Sequence, residues 1–141
     1  MTSNSTISTP LPASVSPESL ISALHNHALY FKLVDTDLIS ANLTSGDPTK
    51  PGDVCVYAVT SKSHTSDYEI TNKPDGIDTS ASIKTPVGTL VVRLKWRVGE
   101  GKLTEDIEIE ANYLMRKMAK GGTEKNAAES HQRFFGELAK A

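Results

Sequence analysis

The chain has 141 residues and a mass of 15.2 kDa, about the size of one globular domain. Its formal charge is −2, from 15 basic and 17 acidic residues, which argues against nucleic-acid binding through a dominant basic surface. The sequence has no apolar run near the roughly 20 residues that a membrane-spanning helix needs, and no signal-peptide pattern. Its single cysteine, Cys55, excludes an internal disulfide. We therefore expect a cytoplasmic protein.

The chain begins with a segment that differs in composition from the rest. Residues 1–15 are rich in Ser and Thr and contain two prolines, which is typical of a disordered tail or of an edge strand. We assign residues 16–141 to a single domain. Ser16 followed by proline predicts a helix start, and the spacing of apolar residues predicts helix to about Val34, which a break near Asn26 would divide in two.

Strand patterns follow this helical segment. Several stretches alternate apolar and polar residues or are rich in β-branched and aromatic side chains, and loops containing Gly and Pro separate them. These stretches are residues 38–44, 54–60, 68–71, 77–84, 90–98 and 103–115. The last two form a long hairpin around the turn at residues 99–102.

The register of this hairpin follows from its two faces. Pairing Leu94 with Ile107 keeps both apolar rows on one side of the sheet. The same pairing sets Arg93 opposite Glu108 on the other side, as expected for an exposed row of salt bridges. Because both faces agree on one alignment, we predict this register.

The end of the chain is predicted to be an amphipathic helix. Gly121 and Gly122 are expected to end the strands, and Asn126 and Glu129 have the spacing of a capping box. The apolar face that follows contains Ala127, Ala128, His131, Phe134, Phe135 and Leu138. Helices segregated from a run of antiparallel strands predict an α+β fold. A strongly curved sheet packed on the last helix would leave space for a ligand.

Several stretches resemble one known superfamily. The helical segment 16–34, the turn Pro74-Asp75-Gly76, and Pro86-Val87-Gly88 leading to Arg93-Leu94-Lys95-Trp96 resemble the START/polyketide-cyclase superfamily, and within it a small fungal branch. The resemblance implies a helix-grip fold, in which a curved antiparallel sheet wraps around a long C-terminal helix and short helices lie near the N-terminus. It also implies a cavity for lipids, sterols or polyketides and, in some members, cofactor-free cyclisation, dehydration or isomerisation.

Three side chains are candidates for catalysis. His131, on the apolar face of the last helix, is a core histidine or a general base held neutral by desolvation. Tyr113 has the inward parity of its predicted strand, so it packs in the core or donates a hydrogen bond to a ligand carbonyl. Glu105 lies opposite Trp96 near the hairpin tip, where it is exposed or is an acid with a raised pKa.

The expected walls of the cavity are His27, Phe31, Tyr68, Leu94, Trp96, Phe134 and Phe135. Ordinary core packing is the alternative for the apolar and aromatic members, and a hydrogen bond from the helix end to a carbonyl is the alternative for His27. Cys55 lies in a strand pattern, where a buried thiol is usually inert. We expect no metal site, since His25 and His27 point to nearly opposite sides of a helix. The resemblance implies that no cofactor is needed.

Three functions fit these observations. The first is a cofactor-free cyclase, isomerase or dehydratase of a polyketide- or terpenoid-like intermediate in secondary metabolism, which needs at least two convergent polar groups in the cavity. The second is a non-catalytic carrier of a lipid-like molecule, and the third is an interaction domain with a filled core. We expect a hydrophobic small molecule as the partner, no nucleic acid, no membrane span, and a monomer or homodimer.

Overall fold

A computed structural model describes residues 2–140 of the chain. The elements in chain order are β1 (Thr2–Pro10), α1 (Pro17–His25), α2 (His27–Val34), β2 (Leu38–Ser45), β3 (Val54–Ser61), β4 (Thr65–Lys73), β5 (Gly76–Thr85), β6 (Gly88–Gly99), β7 (Lys102–Glu110) and α3 (Tyr113–Ala139). The strands form one antiparallel sheet in the order β1-β7-β6-β5-β4-β3-β2. The predicted α+β architecture is confirmed, and α3 packs on the sheet.

The N-terminal segment forms an edge of this sheet. Strand β1 pairs with β7, from Thr2 opposite Glu110 to Pro10 opposite Lys102. Of the two alternatives for residues 1–15, the edge strand therefore applies to residues 2–10, and Met1 lies outside the described residues. Proline is tolerated at the end of an edge strand because no neighbour needs its missing N–H.

The first short helix is capped as the sequence predicts, and the second begins with a cap at the predicted break. The side chain of Ser16 accepts a hydrogen bond from the Ser19 N–H at 3.2 Å, with proline at the first helical position. Asn26 has extended backbone geometry and accepts from the Leu29 N–H at 3.3 Å, so it ends α1 and caps α2. The predicted break near Asn26 is confirmed.

The hairpin of β6 and β7 has the predicted register. Leu94 lies opposite Ile107 and Arg93 opposite Glu108. One Arg93 nitrogen lies 3.1 Å from the Glu108 carboxylate and 2.9 Å from that of Glu110. These groups are about half exposed, so their ion pairs contribute little to stability.

The start of α3 differs from the prediction. The helix begins at Tyr113, because Asn112 caps it by accepting from the Met115 N–H at 3.0 Å. The predicted strand through residue 115 is wrong at its end: β7 stops at Glu110, where the paired strand β1 also reaches its first described residue. The alternating pattern continues by chance across the helix cap.

Consequently α3 is one continuous helix through its paired glycines. Gly121 and Gly122 do not end the strands, and a Cβ at either would meet no atom within 4 Å. Asn126 is not a helix cap, since it lies in the middle of α3 and donates to the Val34 carbonyl at 3.1 Å. Glycines inside a helix cost roughly 1 kcal/mol each relative to alanine, and packing of the second half of α3 compensates for this.

The second half of α3 packs on the sheet. Its buried residues are Ala127, Ser130, His131, Phe134 and Phe135. The Phe134 ring makes an edge contact with Trp96 at 5.7 Å between centroids. Tyr30 of α2 meets Trp96 at the same separation. This aromatic cluster fixes one wall of the space between the helix and the sheet.

Candidate ligand-binding site

A cavity of about 380 Å³ lies between α3 and the sheet. Strands β4 to β7 line it with Tyr68, Ala81, Ile83, Val92, Leu94, Trp96 and Glu105. Helix α3 contributes Gly122, Thr123, Asn126, Ala127 and Ser130, and α2 contributes Tyr30 and Val34. The end of β3 contributes Ser61, and the loops after α2 and β3 contribute Asp35, Thr36, Asp37, Ser63 and His64. A cavity of this size, open to solvent on one side, favours the two ligand-binding hypotheses over the filled core. It falls at the small end of the roughly 300–1,000 Å³ range typical of ligand pockets.

Glu105 supplies a buried carboxyl group to this cavity. It lies on β7 directly opposite Trp96, as the predicted register requires, and its exposed fraction is 2%. Burial raises the pKa of Glu105, while the hydrogen bond and the charge of His131 lower it without cancelling the rise. Simple exposure, the alternative weighed from its place near the hairpin tip, is therefore wrong.

His131 forms a hydrogen bond with this carboxyl group. Its exposed fraction is 0%, its Nε2 lies 2.9 Å from Glu105 Oε1, and its Nδ1 lies 2.8 Å from Thr9 Oγ1. When Glu105 is ionised, Nε2–H donates to it and Thr9 donates to Nδ1. When Glu105 is protonated, it donates to Nε2 and Nδ1–H donates to Thr9. Because a hydroxyl group both donates and accepts, this chain satisfies Glu105 in either state.

Two tyrosine hydroxyls lie on the same side of the cavity. Tyr30 and Tyr68 share a hydrogen bond at 2.9 Å. Burial raises the pKa of Tyr30 well above its ordinary value of 10 and that of Tyr68 to about 12, and the nearby Glu105 charge adds to both. Both therefore stay protonated at neutral pH, and since the bond between them uses one hydroxyl proton, the other proton remains for a further acceptor. The buried Thr79 hydroxyl beside them has no well-oriented hydrogen bond.

The predicted wall residues divide into two groups. Tyr68, Leu94 and Trp96 line the cavity. Phe134 and Phe135 are buried in the core cluster behind it, as their core alternative requires. Phe31 is also core, with edge contacts at 5.0 Å to the rings of Tyr57 and Tyr68.

His27 belongs to a different part of the molecule. Its Nδ1 lies 2.6 Å from the Tyr57 hydroxyl and its Nε2 lies 2.8 Å from Asn72 Oδ1. It borders a separate pocket of about 370 Å³ near the junction of α1 and α2, and burial lowers its pKa. The carbonyl contacts considered for His27 are made by its neighbour His25, whose Nε2 lies 2.9 Å from the Lys73 oxygen.

Tyr113 lies outside the cavity. It occupies the first turn of α3 with an exposed fraction of 68%, and the Arg116 guanidinium lies 5.7 Å from its ring centre. The prediction that Tyr113 faces inward is wrong, because the cap at Asn112 ends strand parity just before it. The structure does not bring its hydroxyl to Glu105.

Sequence reasoning missed Tyr30 and Thr9. The break at Asn26 resets the helical phase, so the apolar spacing that points to Phe31 does not identify Tyr30 as a second inward residue. Thr9 is 122 residues from His131 in the chain, and only the pairing of β1 with β7 brings the two together.

The described residues also bear on metals and membranes. In residues 2–140 no group of three or more His, Cys, Asp or Glu side chains is arranged to hold a metal ion. Among the helices of the same residues, none is both long and apolar enough to cross a bilayer.

Comparison with known proteins identifies the fold. No protein-family model matches the chain, and no curated protein matches it. The solved structures it resembles include Ara h 8.0201, with 12% identity, full coverage of both chains and a TM-score of 0.66. Protein MLL2253 from Mesorhizobium loti shares 14% identity over 99% of this chain and 98% of its own, with a TM-score of 0.64.

A third structure is the di-domain ARO/CYC StfQ from the steffimycin biosynthetic pathway. It shares 9% identity with a TM-score of 0.67, and the match covers 99% of this chain but 51% of StfQ. Likeness at such low identity shows the fold alone. The protein has a helix-grip fold like that of these structures, which confirms the predicted fold class.

Proposed function

We propose that this protein binds a hydrophobic, polyketide- or terpenoid-like molecule in the cavity and catalyses its cofactor-free cyclisation, isomerisation or dehydration. The observation that carries the proposal is the buried Glu105 carboxyl group, which shares the cavity with the Tyr30 and Tyr68 hydroxyls. Convergent polar groups in one cavity are what acid–base catalysis requires. The fold adds support, since StfQ is named as an ARO/CYC of a biosynthetic pathway.

Proton transfer would centre on Glu105. As a carboxylate in a desolvated site it is a stronger base than in water, so it can remove a proton from a carbon next to a ligand carbonyl. A hydroxyl of Tyr30 or Tyr68 would donate to the carbonyl oxygen and stabilise the enolate. Glu105 would then return the proton to another carbon, or to a departing hydroxyl group. Because Glu105 returns the proton that it removed to the same molecule, this mechanism needs no cofactor.

In this mechanism His131 is a positioning residue. Its ring lies on the side of Glu105 away from the cavity and keeps the carboxyl group hydrogen-bonded before and after proton transfer. Thr9 completes the chain at Nδ1. We therefore assign the direct contact with ligand to Glu105, whereas the sequence alone favoured His131 as the base.

Ligand binding can be tested through the only tryptophan of the chain. Trp96 lines the cavity, so anilinonaphthalene sulfonate bound there should receive energy from its indole. Ala127→Leu extends a side chain into the cavity and should weaken probe binding. The adjacent Ala128→Leu, at an exposed position of the same helix, is the matched control and should leave binding unchanged. Equal binding by both variants would place the probe elsewhere.

Catalysis is tested separately from binding. We expect a panel of polyketide-like carbonyl compounds to contain one that the protein converts, and Glu105→Gln to abolish that conversion while probe binding persists. Binding without turnover across the panel would instead assign the second function, a non-catalytic carrier. Membership of the fungal branch and a cytoplasmic location stay predictions from the sequence.

A further inference from the structure

The first half of α3 exposes an apolar surface. Leu114 and Met118, one turn apart, have exposed fractions of 65% and 74%, and Tyr113 beside them has 68%. The turn between β5 and β6 lies against the same end of the helix, because Asn112 donates to the Val87 carbonyl at 3.3 Å. Val87 itself is 71% exposed. We call Val87, Tyr113, Leu114 and Met118 the apical patch.

The charges around the apical patch have one sign. Arg116, Lys117 and Lys120 lie within the same two turns of helix. No Asp or Glu occurs from residue 111 to residue 123, from 79 to 99 across the adjacent turn, or in the first 17 residues, which include the neighbouring strand β1. The nearest preceding carboxylate, Glu110, already pairs with Arg93 at 2.9 Å.

We propose that the apical patch docks on the surface of an anionic lipid bilayer. Tyr, Leu and Met side chains beside lysines suit the boundary between lipid headgroups and acyl chains. At this boundary apolar side chains insert into the bilayer, while cationic side chains contact acidic headgroups. The net charge of −2 does not oppose this, because electrostatic fields are screened within about 8 Å at physiological salt, so the cations next to the patch dominate its contact with a bilayer. The patch also adjoins the cavity rim, since Gly122 and Thr123 line the cavity one turn beyond Met118.

Vesicle co-sedimentation tests the proposal with the full chain and no cavity ligand. The wild-type protein should sediment with phosphatidylcholine vesicles containing phosphatidylserine, and much less with pure phosphatidylcholine or at high salt. Each lysine near an acidic surface contributes about a fivefold gain in partitioning. Replacing both Lys117 and Lys120 by alanine should therefore weaken binding about 25-fold. The control, Lys50→Ala with Lys62→Ala, removes two exposed lysines elsewhere and should change nothing.

The apolar part of the patch has its own variant. Leu114→Ser with Met118→Ser should also reduce vesicle binding, whereas Ile39→Ser, at a 63% exposed position on β2, should not. Vesicle binding that does not depend on phosphatidylserine, or that is unchanged in both the lysine and the serine patch variants, would overturn the proposal. So would a lipid-free dimer that the serine variant converts to a monomer, because the patch would then bind a second copy. Failure here leaves the proposed function untouched, since the cavity assays contain no lipid.

Discussion

The hydrogen bond between Glu105 and His131 should stabilise the fold measurably. The two side chains have exposed fractions of 2% and 0%, and one bond of 2.9 Å joins them. We consider three variants: Glu105→Leu, His131→Leu, and both together. Leucine is close to each native side chain in volume, so the comparison isolates the polar interaction from packing.

The expected size follows from which groups lose their partners. A buried polar group without a partner costs about 1–3 kcal/mol. Glu105→Leu leaves Nε2 of His131 unpaired, and His131→Leu leaves the Glu105 carboxyl group unpaired. The double variant leaves only the half-buried Thr9 hydroxyl, which can reach water. Because both of these costs are absent from the double variant, it should lose about 2–6 kcal/mol less free energy of unfolding than the sum of the single variants.

Urea denaturation at constant pH measures these free energies. Circular dichroism and Trp96 fluorescence should give coincident transitions, which justifies two-state treatment. Losses that simply add, with no coupling between the two sites, would refute the reasoning. They would mean that water from the cavity already solvates Glu105 when His131 is absent.

Three further predictions concern pH, the helix and the core. Burial raises the Glu105 pKa above 4.5, so the stabilisation by the protonated carboxyl group is complete below pH 4.5 and is lost as pH rises through the raised pKa. The wild-type protein should therefore lose stability relative to Glu105→Gln over that pH range. Parallel plots of unfolding free energy against pH for the two proteins would contradict this. Gly121→Ala should raise the free energy of unfolding by about 0.5–1 kcal/mol in urea titrations if α3 is continuous, whereas Gly101→Ala, at φ 74°, should lower it. Phe135→Ala, at 5% exposure, should cost about 3–5 kcal/mol in the same titrations, and a smaller loss would place its ring outside the core.

Much of the sheet could be predicted because its signals are local. The hairpin register is fixed by an apolar face and a charged face that agree, so Leu94 opposite Ile107 and Glu105 opposite Trp96 both followed from parity. The helix cap at Ser16 and the break near Asn26 could also be predicted, since each depends on one residue and the turn of chain next to it.

The site needed information that local patterns do not contain. Glu105 meets His131 across 26 residues, and the two meet only where α3 crosses β7. Parity misplaced Tyr113, because the alternating pattern does not reveal that Asn112 prefers to cap a helix. The start of α3 was missed for the same reason, with two glycines in its interior as a further misleading signal.

The central claim is that an apolar molecule occupies the space between α3 and the sheet. Native mass spectrometry of the protein purified under mild conditions tests it most directly. We expect an added mass from a small apolar compound, retained in Ala128→Leu and lost in Ala127→Leu. An added mass that persists unchanged in Ala127→Leu, or a protein that takes up no apolar compound when offered a panel of them, would contradict the claim.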